Sequence, residues 1–237
     1  MAAPEPTPDA APAPAATPVS AARLAEMLGD RLPGPESIPD GAFELVARAR
    51  ELVEAVVMTD VDGPERHAAA AQLAAITDRL RARRREQALY LIRHPDGQVE
   101  SLVQAGSGRL NPQAPPMQWV VRPTEPPPGS EPRPVEVRAV CTFTAAHGGS
   151  PARVHGGMLA AALDEALGVA VNAAGVSGMT VALSVSLKGG TPFGVPVEIV
   201  ARYTGHEGRK SYATGEVRVD GVTTAEASAI CVSERRD

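Results

Sequence analysis

The sequence predicts an α+β domain over its C-terminal part: an antiparallel sheet joined by short turns and laid on one long helix, behind a helical N-terminal extension. Three observations carry this. After Pro134 the apolar period changes from helical to two. A stretch from Val154 to Val171 is apolar almost all round, as a helix enclosed on several sides would be. Beyond it lie four more stretches of strand character, roughly 180–188, 195–203, 210–219 and 222–232.

Taken in order, residues 1–20 hold six prolines and many alanines, with no basic start followed by an apolar run, so a disordered tail is expected there. Residues 21–92 read as a helical extension. Leu45, Ala49, Leu52 and Val56 recur at steps of four and three, as do Leu73, Ile76 and Leu80, which predicts two helices packed as a hairpin. Asp40 or Ser37 would cap the first, residues 60–64 would form the turn, and Pro64 would sit in the first turn of the second. Arg79, Arg81, Arg83, Arg84 and Arg85 read as a solvated helix end. Residues 111–134 contain nine prolines, which exclude a helix or a central strand and predict an extended linker or arm, pinned to an apolar surface by Trp119.

In residues 135–237, Val135, Val137, Ala139, Cys141 and Phe143 alternate with Glu136, Arg138, Val140 and Thr142 and predict a half-buried strand. Asp220-Gly221 predicts a tight hairpin between the last two strands, and the segment 205–208 a glycine-bounded turn between the two before them. His147-Gly148-Gly149 reads as a loop.

Composition narrows the function. With 23 Lys and Arg against 28 Asp and Glu, the net charge of −5 argues against a nucleic-acid or anionic-membrane partner. No uncharged run is long enough to span a membrane, and Cys141 and Cys231 stand in separate apolar strands, which suits reduced core cysteines and a cytoplasmic location. His67, His94 and His206 have no ligand company, so no metal site is expected. Neither a phosphate loop nor a nucleophile elbow is present.

The central helix holds the chemistry. Asp164 and Glu165 are adjacent carboxylates in an otherwise apolar segment, and side chains about 100° apart cannot share one environment. A buried carboxylate without a partner is costly enough to need a reason. His155-Gly156-Gly157 opens the helix, where free amides form a site for an oxyanion or phosphate.

His155-Gly156-Gly157 with an acid nine residues after the histidine, in an Ala-rich helix following one strand, resembles the hotdog-fold acyl-CoA thioesterases related to those of phenylacetate degradation. Gly178-Met179-Thr180, Thr191-Pro192 and Glu207-Gly208-Arg209-Lys210 extend the likeness toward the subgroup of thioesterase superfamily members 4 and 5. It covers residues 135 to the C-terminus. Residues 1–110 lie outside it. The resemblance implies hydrolysis of an acyl-CoA substrate to free acid and CoA, without metal or other cofactor. Asp164 would be general base or nucleophile, Gly157 the oxyanion donor, Thr180 the hydroxyl that positions water or the carboxylate, and His155 a turn-shaping residue near the thioester. Gly156, Glu165, Lys188, Arg209 and Lys210 would contact substrate, the last three as candidates for the nucleotide phosphates. Before Thr191-Pro192, where relatives carry further basic residues and a proline, this chain has Leu187-Lys188-Gly189-Gly190.

Gly157 and Asp164, seven residues apart, share a helix face but lie about 10 Å apart along the axis. One thioester cannot easily touch both, which predicts a composite site in a homodimer or dimer of dimers. Two other readings stay open: a non-catalytic acyl-CoA or partner-binding module, and an acyl-CoA dehydratase or hydratase on the same scaffold.

Overall fold

A computed structural model describes residues 27–127, 129–176 and 178–233, so the tail expected over residues 1–20 lies outside the described residues. Two helices come first, α1 (Ala42–Met58) and α2 (Gly63–Arg81). The α1 cap falls on Gly41, whose backbone is left-handed, while Asp40 Oδ1 accepts from the Gly41 amide at 3.0 Å. Asp62 caps α2 by accepting from the Glu65 amide at 3.0 Å, with Pro64 in the first turn as expected.

The packed hairpin expected of these helices is not what the chain forms. α2 buries no residue and α1 buries only Val46, leaving Leu45, Leu52, Val53, Val56, Ile76 and Leu80 exposed. The helical spacing is real, but among the described residues of one chain little covers it. α1 is instead tied down from its side: Arg50 Nη2 donates to the carbonyls of Asn111 (3.1 Å) and Ala114 (3.3 Å).

Beyond these helices the chain forms a two-stranded hairpin, β1 (Leu91–Arg93) and β2 (Val99–Ser101), of which only Leu91 and Ile92 fall within the expected helical extension. Asp96-Gly97 makes its turn, with Gly97 at φ +85°, a dipeptide signal that stands just past the end of the helical period. The proline-rich arm is extended, and it contributes β3 (Gln118–Val121), which pairs with β4 (Glu136–Thr142) as the edge of the main sheet. Trp119 packs on the core from there. An edge is where a proline-rich segment can pair, because only one side of its backbone must hydrogen-bond.

The main sheet is antiparallel, in the order β3-β4-β8-β9-β10-β7, with β7 (Met179–Leu187), β8 (Pro196–Glu207), β9 (Lys210–Val219) and β10 (Val222–Val232). The last hairpin turns at Asp220 and Gly221, both with positive φ, as the dipeptide predicted. The turn before it is tighter than expected. β8 runs on to Glu207, Gly205 marks a bulge opposite Tyr212, and the connection shrinks to Gly208-Arg209.

One helix, α3 (Gly156–Ala173), lies across the sheet and touches β4, β7, β8, β9 and β10. Its Leu159, Leu163, Leu167 and Val171 are fully or almost fully buried. Opposite them the sheet presents Ala213, Gly215, Ala225, Ala227, Ala229 and Cys231. A Cβ added at Gly215 would sit 3.3 Å from both Leu163 Cδ2 and Leu167 Cδ2, so small sheet residues are what admit the large helix residues. Leu163→Ala is expected to cost about 2–5 kcal/mol, read as a fall in the denaturant midpoint.

On the other face of the sheet, Glu136, Arg138, Glu198, Arg202, Glu216 and Arg218 form a connected ion network. Burial by itself would raise the Glu216 carboxyl, but hydrogen bonds from Arg218, Arg202 and Thr223 outweigh it and hold the group down at about 2. Because the folded state depresses this acid, its stabilisation is present above the ordinary carboxylate range and is lost as pH falls toward 2. Glu216→Gln should therefore cost about 1–2 kcal/mol near neutrality in denaturant unfolding, the gap to the parent closing as the pH is lowered. No helix among the described residues is long and apolar enough to cross a membrane.

Candidate active site

His155 is the N-cap of α3. Its backbone amide donates to the His147 carbonyl at 2.9 Å, and its Nδ1 accepts from the Gly157 amide at 3.0 Å. His147-Gly148-Gly149 is more ordered than the loop the sequence suggested. A 3-10 turn (Ala145–His147) leads into a small hairpin of β5 (Gly148–Ser150) and β6 (Arg153–Val154) that supports His155. A Cβ at Gly149 would come within 2.7 Å of the His155 Cα, so this second glycine pair is what lets the hairpin close on the cap.

The cap has a chemical consequence. With Nδ1 accepting an amide, the neutral imidazole carries its proton on Nε2 and offers a donor outward. The Gly157 N–H, the oxyanion donor that the resemblance implied, is engaged within the chain. The Gly156 N–H makes no hydrogen bond among the described residues. Leu187 lies against Gly156, where a Cβ would be 2.8 Å from its Cδ1.

Asp164 sits two turns further along the same helix face. Its Oδ1 is buried and has no hydrogen-bond partner among the described residues. Near it, Thr180 Oγ1 is 3.8 Å from Cys231 Sγ across the β7–β10 pair. Burial pushes the Cys231 thiol up, and the Asp164 charge adds to this against the Thr180 hydrogen bond. Asp164 and Thr180 are thus gathered at one end of β7, and His155, Gly156 and Gly157 at the other, beside Leu187.

The basic residues separate in the same way. Lys188 pairs with Glu226 at 3.0 Å, and its amide bonds to the Thr224 carbonyl. Arg209 donates through Nε and Nη2 to the Ser233 carbonyl at 3.1 and 2.7 Å, and Lys210 lies opposite Val232. Eight residues of β10 between Thr224 and Val232 span about 26 Å, so one chain does not bring Lys188 to Arg209 and Lys210.

Glu165 faces elsewhere. Its Oε1 accepts from Ser107 Oγ at 2.6 Å, Ser107 Oγ accepts from Gln104 Nε2 at 3.0 Å, and Gln104 Oε1 accepts from the Gly106 amide at 3.0 Å. Glu165 forms part of the wall of a cavity of about 1000 Å³, roofed by β1–β2, the loop after β2 and the arm around β3. Sequence reasoning missed Gln104, Gly106 and Ser107, because nothing local in residues 104–107 tells that this loop folds onto α3.

β7 is the other free edge of the sheet, and one of its faces is apolar, while Ala182, Ser184 and Ser186 make the other. Met179, Val181, Leu183 and Leu187 are all exposed, Val181 at 62% and Leu187 at 59%. A long apolar edge strand with unpaired backbone groups invites pairing.

No family model and no curated protein matches the sequence. Among solved structures, a thioesterase superfamily protein aligns at 28% identity over 85% of this chain and 93% of its own, with a TM-score of 0.68. The chain is similar to thioesterase superfamily proteins and shares a hotdog-type fold with them. That alignment reaches well beyond residues 135–237, so part of the N-terminal extension, for which the resemblance offered no counterpart, has one in that structure. Two shorter hotdog neighbours align less closely. One is a phenylacetic acid degradation-related protein of Ralstonia eutropha JMP134, at 28% identity over 41% of this chain and 76% of its own, with a TM-score of 0.39. The other is the PaaI protein of the E. coli phenylacetic acid degradation operon, at 16% identity over 49% and 82%, with a TM-score of 0.43.

Proposed function

We propose that this hotdog protein hydrolyses an acyl-CoA thioester to the free acid and CoA. The observation that carries the reading is Asp164 Oδ1, buried and unpartnered in the middle of an apolar helix. Buried polar atoms nearly always find partners, and the exceptions call for a reason such as catalysis. In this reading Asp164 takes a proton from water as the water attacks the thioester carbonyl. The C–S bond of the tetrahedral intermediate then breaks, and the thiolate leaves with the proton returned from Asp164. Thr180 positions the water or the carboxylate. Attack by Asp164 itself, through an anhydride that water then cleaves, balances equally well.

The developing oxyanion is met at the N-terminus of α3. With the Gly157 amide held by His155, the open donors are the Gly156 N–H and the His155 Nε2–H, and Gly157 serves by fixing the ring. The Gly156 donor and Asp164 lie about 12 Å apart along α3, so the site needs two protomers. Antiparallel pairing of β7 with a second β7 would bring the His155 end of one chain to the Asp164 end of the other, and would cover Val181 and Leu187. Lys188 of one protomer and Arg209 and Lys210 of its mate would then approach one another as contacts for CoA phosphates.

The dehydratase reading needs His155 as a base, and a ring whose Nδ1 already accepts an amide presents a donor instead. The test is release of free thiol from short, long and aromatic acyl-CoAs by the purified protein. Tight binding of CoA esters with no release would replace the hydrolase by a binding module.

A further inference from the structure

The chain carries two His-Gly-Gly runs, and the proposed chemistry uses one of them. In the other, His147 ends the 3-10 turn that follows β4 and leads into β5. It makes hydrogen bonds in two directions. Backward, its Nδ1 accepts from the Thr144 amide at 3.0 Å, while its own amide donates to the Thr144 carbonyl at 2.9 Å. Forward, its carbonyl accepts from the His155 amide at 2.9 Å. His155 is thereby held twice, through its backbone by His147 and through its ring by the Gly157 amide.

The surroundings of His147 keep this arrangement in place. Its half-buried ring stands edge-on to the fully buried Phe143, with 5.5 Å between ring centres. α1 packs against the turn, and Glu54 Oε1 accepts from the Ala145 amide at 3.4 Å. Burial holds the His147 imidazole below its usual range against the Thr144 hydrogen bond, with Arg50 adding to the effect and Glu54 opposing it. Near neutrality the ring is therefore neutral, as an Nδ1 acceptor must be. A single 3-10 turn has poor hydrogen-bond geometry of its own, so the direction of its last carbonyl depends on the side-chain bond that closes it.

We infer that His147 is a positioning residue for the oxyanion donors: its ring closes the 3-10 turn, and the last carbonyl of that turn sets where His155, and with it the Gly156 amide, stands. The link to catalysis rests on the thioesterase reading. The coupling of His147 to His155 does not.

Two substitutions in the full chain separate the acceptor from the ring. His147→Phe keeps a ring against Phe143 and loses the acceptor, whereas His147→Asn loses the ring and keeps an acceptor at the Nδ1 position. In thiol release, kcat is expected to fall about tenfold in His147→Phe while KM stays within about twofold of the parent, because the donors act on the transition state. His147→Asn should recover kcat to within about threefold of the parent. Gly149→Ala disturbs the same bond without touching the His147 side chain, since its Cβ would stand 2.7 Å from the His155 Cα, and should also lower kcat. Circular dichroism reports that each variant is folded. Long-range proton–nitrogen NMR spectra give a readout without turnover: His155 should hold a single Nε2–H tautomer in the parent and in His147→Asn, and a mixture of tautomers in His147→Phe. Parent-like kcat in His147→Phe overturns the positioning role, and so does a kcat in His147→Asn no better than in His147→Phe, which is the result expected of packing alone. An unchanged His155 tautomer in both His147→Phe and Gly149→Ala overturns the coupling itself. If the tautomer responds as expected while the parent cleaves no thioester of any kind, the thioesterase reading fails and the coupling of the two histidines stands.

Discussion

Replacing Asp164 by alanine is expected to lower the rate of thiol release from the best acyl-CoA by at least about a hundredfold, while the variant remains folded and keeps its oligomeric state. The size follows from the role. A carboxylate that removes the proton from attacking water acts in the transition state, so its loss should appear in kcat rather than in KM. Stability should move the other way or hardly at all, because the residue removed carries a buried oxygen that has no partner. A carboxylate that served only the fold would give the opposite pattern, with lowered stability and undiminished turnover. Asp164→Asn refines the test: it preserves shape and removes basicity, so it should lose as much activity as the alanine variant.

The second large effect is expected at β7. Val181→Asp places a charge on the most exposed apolar position of that strand. If two β7 edges pair, a charge there meets its own copy or a neighbouring apolar side chain across the two-fold axis, and dimers should give way to monomers in sedimentation analysis. Turnover should fall with the dimer population if donors and base come from different chains, as proposed. Complementation makes the point independently. Asp164→Ala and His155→Ala protomers, each nearly inactive, should recover about a quarter of the parent activity when unfolded and refolded together, because half of the dimers are mixed and each mixed dimer has one intact site. Inactive mixtures that nonetheless form mixed dimers would place the whole site within one chain.

Much of the fold could be read from the chain because its signals are local. Alternation in β4, the all-round apolar α3 and the Asp220-Gly221 turn each follow from side chains within a few residues of one another, and β7, β9 and β10 begin and end within one residue of their expected limits. The bulge at Gly205 is not legible in this way, since the same glycine reads as a turn when only its neighbours are considered. The helical period of α1 and α2 is equally local and correct, but what covers their apolar faces is not a property of either helix.

The candidate site divides along the same line. That Asp164 and Glu165 must face different surroundings, and that Gly157 and Asp164 share a face at a distance too great for one thioester, follow from helix geometry alone. Which carboxylate lacks a partner, that the Gly157 amide is taken by His155, and that Lys188 stands at the far end of β10 from Lys210 do not. Nor does the cradle that Gln104, Gly106 and Ser107 build for Glu165, with 58 residues between Ser107 and the carboxylate it holds. Period and turns depend on near neighbours, so the order of residues was enough to predict α1 to α3, β4 and β7 to β10, though not the β1–β2 and β5–β6 hairpins. Which groups meet depends on how every intervening element packs, and that is a property of the folded chain alone.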